Sequence, residues 1–174
     1  MDTLSHALWG GVAFGRKSRK SFLLASTFGL SPDILSFGIL FASTLLGIGE
    51  QPSFKNRPPD PSLIPQYVDF LYNATHSLII FFVVFSIVWF FLKKPLWEMG
   101  AWFFHIALDI FTHSFEFFPT PFLWPLFDYK FNGVSWGTAW VFFLNVALLF
   151  ISYLYFFIYK KENLKKCYIN LFLD

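Results

Sequence analysis

The sequence predicts an all-α fold, a polytopic helical bundle within a membrane that forms a single domain over residues 1–174. Of the 174 residues, 56% are apolar and 24% are aromatic, whereas only 14% are charged, a balance outside the usual range of soluble domains. Several apolar stretches are long enough to cross a hydrocarbon core of ~30 Å. Short basic clusters alternate with these stretches. We therefore expect about five helical segments, one of them broken.

The expected segments follow the apolar stretches, at residues 1–15, 21–48, 67–92, 96–118 and 136–159. The first is too short to cross a membrane comfortably on its own. In the second, Ser31-Pro32-Asp33 predicts a kink or a helix restart, because proline removes a backbone donor and Ser-Pro-Asp suits a helix N-terminus. A proline-rich loop at 50–66 and an aromatic loop at 119–135 separate the later segments.

The placement of the basic residues predicts the orientation in the membrane. Residues 16–20, 93–94 and 160–166 carry ten of the thirteen lysines and arginines. The positive-inside rule assigns these clusters to the cytoplasm and assigns the N-terminus and the two loops to the outside. The single cysteine, Cys167, excludes an internal disulfide and a cysteine-rich metal cluster.

Two polar residues within the fourth segment have metal-ligand spacing. His105 and Asp109 are four residues apart, so on a helix they share one face, ~6 Å apart along the axis. Such a pair can bind one cation from a single helix. His113 lies ~12 Å along the axis from His105 and is expected to serve a second ion or a substrate. The alternative is a structural polar cluster that holds helices together.

Three more polar residues are expected at the same depth, His6, Asp33 and His76. Imidazole and carboxylate groups suit zinc, and also manganese or iron. A bound metal would activate water, with Asp33 acting either as a ligand or as the general base. Each residue also has a structural alternative: an interfacial histidine for His6, a helix cap for Asp33 and an interhelical hydrogen bond for His76.

An ordered set of short motifs runs through residues 1–130: Met1-Asp2-x-x-Ser5-His6, Ser31-Pro32-Asp33, Thr75-His76-Ser77-Leu78, His105-x-x-x-Asp109 and Leu123-Trp124-Pro125. In this order the motifs resemble the bacterial inner-membrane metal-dependent hydrolases of the YdjM type, the LexA-binding hydrolases. That family is similar in its metal-site logic to zinc-dependent phospholipase C and single-strand nucleases. The resemblance implies that the metal ligands are His6, Asp33, His76, His105 and Asp109.

The chain also departs from that family. The family often has His-Arg before the Thr-His motif, where this chain has Leu71 and Tyr72, and often reads Pro-Asp-x-Asp, where this chain has Leu35. These departures count against a second metal ion and against full hydrolytic activity. Asp2 and His113 are further candidates, either as ligands of a second ion or as groups that surround the first ion. His113 is also a candidate replacement for a lost ligand.

The expected function is a membrane-embedded, metal-dependent hydrolase that acts on a phosphoester or ester bond of a lipid or lipid-linked substrate. Zinc is the expected cofactor, membrane lipids are the expected partners, and no nucleic-acid partner is expected. The expected location is the bacterial inner membrane, with the site toward the outer face. The alternative is a non-catalytic protein that binds or transports a divalent cation, and a third possibility is a structural partner subunit.

Overall fold

The computed structural model describes residues 1–48 and 64–171, with side chains up to residue 158. This part of the chain contains helices and no strands: α1 (Thr3–Phe14), α2 (Arg19–Leu45), α3 (Gln66–Thr75), α4 (Leu78–Leu92), α5 (Gly100–Thr112) and α6 (Ala139–Leu171). Helices α3 and α4 form one bent pair. The prediction of an all-α bundle with five helical segments is therefore confirmed, and one segment is broken, although it is the third segment and not the second.

Among the described residues, two helices are long and apolar enough to cross a membrane, α2 and residues Ala139–Ile158 of α6. The α3–α4 pair, bent by 60°, counts as a third if it forms one broken span. Helices α1 and α5 have only 12 and 13 residues, too few to cross a core of ~30 Å at ~1.5 Å per residue. Both pack against α2. Most of the proline-rich loop predicted at 50–66 lies outside the described residues.

The helix restart predicted at Ser31-Pro32-Asp33 is wrong, because α2 runs through these residues as one helix, whereas the alternative of a kink stays a prediction. Proline cannot donate a hydrogen bond to the carbonyl four residues before it, here that of Phe28. The Ser31 hydroxyl donates to this carbonyl instead, at 3.1 Å. Asp33 consequently lies inside a helix and not at a helix N-terminus.

The break occurs instead at His76 and Ser77, between α3 and α4. Ser77 is extended (φ −96°, ψ 127°), and its side-chain oxygen accepts hydrogen bonds from the amides of Ile79 and Ile80 at 3.1 and 3.2 Å. The Leu78 amide donates to the Phe122 carbonyl of the aromatic loop at 3.0 Å. The Ser77 side chain and a loop carbonyl thus accept hydrogen bonds from the first amides of α4, which have little access to water at membrane depth.

Helix α5 is shorter at both ends than the predicted segment 96–118. A turn of 3-10 helix at Trp97–Met99 precedes it, and His113 after its last residue is extended (φ −115°, ψ 145°). The aromatic loop returns to this end, where the amides of Gly133 and Val134 donate to the carbonyls of His113 and Phe111 at 2.8 and 3.0 Å. These tertiary hydrogen bonds compete with continuation of the helix.

Helix α1 approaches α2 closely because glycine lies at the crossing. A Cβ atom on Gly29 of α2 would lie 2.4 Å from the backbone oxygen of His6. Helix α6 is joined to α1 by polar contacts: the Asn145 amide nitrogen donates to Ser5 Oγ at 2.8 Å, and Trp9 Nε1 donates to Asn145 Oδ1 at 2.8 Å. The crossing at Gly29 positions the side chain of His6.

We expect Gly29→Ala to destabilise the protein by about 1–3 kcal/mol, the usual range for overpacking, because the added methyl group meets backbone that cannot rotate away. The matched control is Gly38→Ala on the same helix, where the new Cβ would lie 3.4 Å from a flexible Ile34 methyl group. This control gains helix propensity without a clash and should be neutral or stabilising by up to ~1 kcal/mol. Unfolding by SDS in mixed micelles, followed by circular dichroism, measures both. Equal stability of the two variants would contradict the close crossing.

Candidate metal centre

Four buried side chains from three segments converge on one point. Asp33 lies in α2, His76 at the break between α3 and α4, and His105 and Asp109 one turn apart in α5. One ligand atom from each side chain lies within 4.8 Å of the corresponding atoms of the other three. The side chains of His76, His105 and Asp109 are fully buried, and that of Asp33 is 12% exposed. The structure therefore brings together four of the five residues expected as ligands in one compact group.

The distances within this four-residue group match the spacing of donors around a small cation. The Nε2 atoms of His76 and His105 are 3.0 Å apart. Asp33 Oδ1 lies 3.5 and 3.7 Å from these nitrogens, and Asp109 Oδ2 lies 3.6 and 3.2 Å from them. Four ligands at ~2.0–2.1 Å around a tetrahedral ion are separated by ~3.3 Å. The observed separations lie on both sides of this value.

Backbone carbonyls set the tautomers of both histidines. His105 Nδ1 lies 2.7 Å from the Gly29 carbonyl oxygen, and His76 Nδ1 lies 3.1 Å from that of Tyr72. A carbonyl oxygen can only accept, so each Nδ1 carries the proton and each neutral ring presents a lone pair at Nε2. The Thr75 hydroxyl also lies 3.0 Å from His76 Nδ1, but it donates its own hydrogen to the Leu71 carbonyl at 2.8 Å and can therefore accept from this ring. Metal-binding histidines are commonly oriented by such a bond on the other ring nitrogen.

The contacts of these acceptors favour a cation over a structural polar cluster. Two imidazole lone pairs and two carboxylates face one another, and none of these groups supplies a donor when both rings are neutral. Asp33 Oδ2 and Asp109 Oδ2 are buried without a hydrogen-bond partner. A structural cluster would normally pair each buried acceptor with a donor. A divalent ion compensates both carboxylates at once, and the residues present fit such an ion.

His6 lies beside the four-residue group, on the far oxygen of Asp109. Its Nε2 atom is 2.9 Å from Asp109 Oδ1, and its ring stacks on that of His105 with centroids 3.5 Å apart. The main-chain nitrogen of Met1 contacts the same oxygen. The Asp2 carboxylate faces its own helix, where it accepts hydrogen bonds from the amide and hydroxyl of Ser5 at 2.9 and 2.5 Å.

His113 contacts the same carboxylate as His6. Because α5 ends at Thr112, the side chain of His113 turns toward Asp109, and its Nε2 atom lies 3.5 Å from Asp109 Oδ1. Its Nδ1 atom lies 2.9 Å from the Phe118 carbonyl oxygen. His113 therefore contacts the centre through Asp109. Its role as a ligand of a second ion stays a prediction.

Sequence reasoning did not find two of the groups that orient the centre. Tyr72 stacks on His76 with ring centroids 3.9 Å apart, and its hydroxyl donates to the Phe118 carbonyl at 2.8 Å. The carbonyl of Gly29 holds His105. The spacing of four residues between Tyr72 and His76 could have indicated the first contact. No sequence signal indicates the second, because every residue has a carbonyl.

No protein-family model matches the chain, and neither the curated proteins nor the solved structures contain a match. The resemblance to the YdjM-type hydrolases therefore stays a prediction. What the structure supports is the donor set itself, two imidazoles and two carboxylates that could hold a divalent metal.

We expect His105→Ala and Asp109→Ala to weaken metal binding by more than the ~10–100-fold that loss of an outer hydrogen-bond partner causes, because each removes a donor from the group itself. The measurement is metal content of the detergent-purified protein by mass spectrometry, followed by titration of stripped protein with zinc. The matched control, Asp128→Asn, removes an exposed carboxylate (86% exposed) that pairs with Lys130. Unchanged zinc affinity in both Ala variants would contradict the assignment of the centre.

Proposed function

We propose that this protein is a membrane-embedded, metal-dependent hydrolase of a phosphoester or ester bond, with zinc as the best-fitting ion. One observation carries the proposal: a buried set of two imidazoles and two carboxylates in which backbone carbonyls turn both Nε2 lone pairs inward. This set suits zinc, manganese and iron, and a tetrahedral arrangement of nitrogen and oxygen donors favours zinc. A catalytic ion needs one position without a protein ligand, so His76, His105 and Asp109 would hold it, and the fourth position, beside Asp33, would be left to water or substrate. When bound, such an ion polarises an ester oxygen and lowers the pKa of water toward ~7.

Asp33 is the residue best placed to handle a proton. Its side chain is the only one of the four with an exposed fraction, 12%, so it lies at the edge of the centre. Oδ1 faces the two histidines, whereas Oδ2 has no hydrogen-bond partner. A carboxylate with one committed oxygen and one buried oxygen that has no hydrogen-bond partner can orient a nucleophile and accept its proton.

The covering of the centre favours a lipid substrate over a soluble one. The aromatic loop packs beside the centre, since its Phe122 carbonyl accepts a hydrogen bond from the Leu78 amide, two residues after His76, at 3.0 Å. The Phe118 carbonyl, just before the loop, accepts hydrogen bonds from Tyr72 and His113. Several rings of this loop are exposed, including Phe127 at 64% and Tyr129 at 61%. Exposed aromatic rings suit the headgroup level of a bilayer, where the polar–apolar junction of a lipid lies.

The basic clusters support a site toward the outer face. Helix α4 begins beside the centre at Ser77 and ends at Lys93, about 24 Å away at ~1.5 Å per residue. Arg16 and Lys17 follow the end of α1, whose first half carries His6. The centre therefore lies at the ends of these helices that are remote from the basic residues, and the positive-inside rule assigns the basic ends to the cytoplasm.

This orientation predicts that Lys130→Cys, introduced into a Cys167→Ser background, reacts with a membrane-impermeant maleimide added to intact cells. The native Cys167, in the wild-type chain, should react only after the cells are permeabilised. The opposite pattern, with Cys167 labelled from outside and position 130 protected, would place the centre toward the cytoplasm.

The substrate prediction compares three classes of ester with metal-replete, detergent-purified protein. We expect turnover of phospholipid in mixed micelles to exceed turnover of a short soluble phosphodiester or of single-stranded DNA, because a soluble polymer must enter an apolar layer to reach the centre. Chelation should abolish turnover. Asp33→Asn should lower turnover by ~10²–10⁴-fold, the usual contribution of a general base, while circular dichroism stays unchanged.

Two results would redirect the proposal. Preference for either soluble substrate would remove the lipid assignment. Metal-replete protein without activity on any of the three esters would favour the non-catalytic alternative, a protein that binds or transports a divalent cation.

A further inference from the structure

Asn145 is the one amide side chain in the apolar span Ala139–Ile158 of α6. Its neighbours in the chain, Leu144 and Val146, are 50% and 46% exposed, whereas Asn145 is only 8% exposed. Asn145 therefore faces the bundle and not the surroundings of α6. A polar side chain in such a span costs free energy unless it is paired, so its partners indicate what it does.

Both ends of the Asn145 amide are bound to α1. Its nitrogen donates to Ser5 Oγ at 2.8 Å, and its oxygen accepts from Trp9 Nε1 at 2.8 Å. Ser5 Oγ donates in turn to the carboxylate of Asp2, the N-cap of α1, at 2.5 Å. A single side chain of α6 thus holds two side chains of α1 that lie about one helical turn apart.

The contact with Ser5 also determines where His6 points. The two residues are adjacent on α1, so their side chains leave the helix axis in directions ~100° apart. Ser5 faces α6, whereas His6 faces α5, where its Nε2 atom lies 2.9 Å from Asp109 Oδ1. An ionised carboxylate can only accept, so His6 donates this hydrogen bond. Binding of Ser5 by Asn145 consequently fixes the rotation of α1 that directs His6 at Asp109.

A small rotation of α1 is enough to break the hydrogen bond between His6 and Asp109. Side chains reach ~5–6 Å from a helix axis, so a rotation of ~10° moves the end of a side chain by ~1 Å. A separation of 2.9 Å that grows by this amount exceeds hydrogen-bonding distance. The close crossing at Gly29 meets the backbone of His6, so it limits the distance between α1 and α2 and not this rotation.

We propose that Asn145 is a positioning residue of the metal centre, which acts from α6 through the rotation of α1 to keep His6 hydrogen-bonded to Asp109. His6 orients a carboxylate of the centre, and outer partners of metal ligands contribute to metal affinity. This inference rests on the metal centre of the proposed function, but it does not require turnover. It gives α6, which follows the ordered motifs of residues 1–130, a role in the centre.

The test is the zinc affinity of detergent-purified, full-length protein, measured by competition with a chromogenic chelator. We expect His6→Ala to weaken zinc binding by ~10–100-fold, the range for loss of an outer partner of a metal ligand. Asn145→Leu removes the amide at similar volume and should weaken zinc binding by roughly tenfold, the lower end of this range. Its effect is smaller because α1 still adopts the correct rotation for part of the time.

The matched control is Tyr153→Phe, which removes another hydrogen bond between the same two helices. The Tyr153 hydroxyl donates to the Leu8 carbonyl at 3.0 Å. Backbone atoms lie close to the helix axis, with Cα at ~2.3 Å, so this bond has little leverage on rotation. Tyr153→Phe should lower resistance to SDS as Asn145→Leu does, yet keep zinc affinity within about twofold of wild type. An equal loss of zinc affinity in both variants would reduce Asn145 to a structural contact.

A double variant tests whether Asn145 acts through His6. Adding Asn145→Leu to His6→Ala should cost no further zinc affinity, because the hydrogen bond that Asn145 preserves is already absent. Additive losses would overturn the route through His6.

Cobalt-substituted protein gives a spectroscopic readout of the same route. The visible absorption bands of cobalt report the ligand geometry around the ion. These bands should shift in the same way in His6→Ala and Asn145→Leu, and they should be unchanged in Tyr153→Phe. Wild-type bands in Asn145→Leu would contradict a positioning role.

Ser5→Ala removes the other partner of the same contact and repeats the test if Asn145→Leu does not fold. We expect it to weaken zinc binding as Asn145→Leu does. Unchanged zinc affinity in Ser5→Ala and in folded Asn145→Leu would overturn this inference and leave the proposed function intact. Wild-type protein that binds no zinc would remove the proposed function and this inference together.

Discussion

The buried carboxylate of Asp109 is the group on which the rest of this structure depends. An isolated charge in an apolar helical bundle costs several kcal/mol, so it must be compensated within the protein. Its neighbours come from α1, from the break between α3 and α4, from α5 and from His113, the residue that follows α5. Each of these segments is thus fixed relative to one anionic group, and the two short helices that cannot span a membrane are fixed by it as well.

Much of the fold and of the centre could be predicted because polar residues in apolar segments are few and their spacing is informative. His105 and Asp109 share a helix face whatever the ends of α5 are, so that pair needed only the helical period. The proximity of this pair to Asp33 and His76 was predicted by comparing the expected membrane depth of polar residues on four apolar segments. The prediction of five segments, one of them broken, rested on the alternation of apolar stretches with basic clusters and on the high apolar content of the chain.

The location of the break could not be predicted, because two sites carry similar signals. Ser31-Pro32-Asp33 and Ser77 both suit a helix N-terminus, and proline favours the first of them. The Ser31 hydroxyl takes the place of the hydrogen bond that Pro32 removes, and so α2 continues. Ser77 instead caps a new helix whose first amide has a partner in the distant aromatic loop. The choice between the sites thus depends on a contact between residues 44 apart in the chain, Leu78 and Phe122, which local sequence does not encode.

The broken span has a consequence for how any negatively charged headgroup could be recognised. A helix N-terminus inside a membrane protein usually offers free amides to an anion. At α4 these amides are already used, those of Ile79 and Ile80 by Ser77 and that of Leu78 by Phe122. The N-terminus of this helix therefore has no free amide among its first three residues to donate to an anion. If the proposed metal ion is bound, a phosphate that reached the break would have this ion as its positive partner, so affinity for the headgroup and occupancy by metal would rise and fall together.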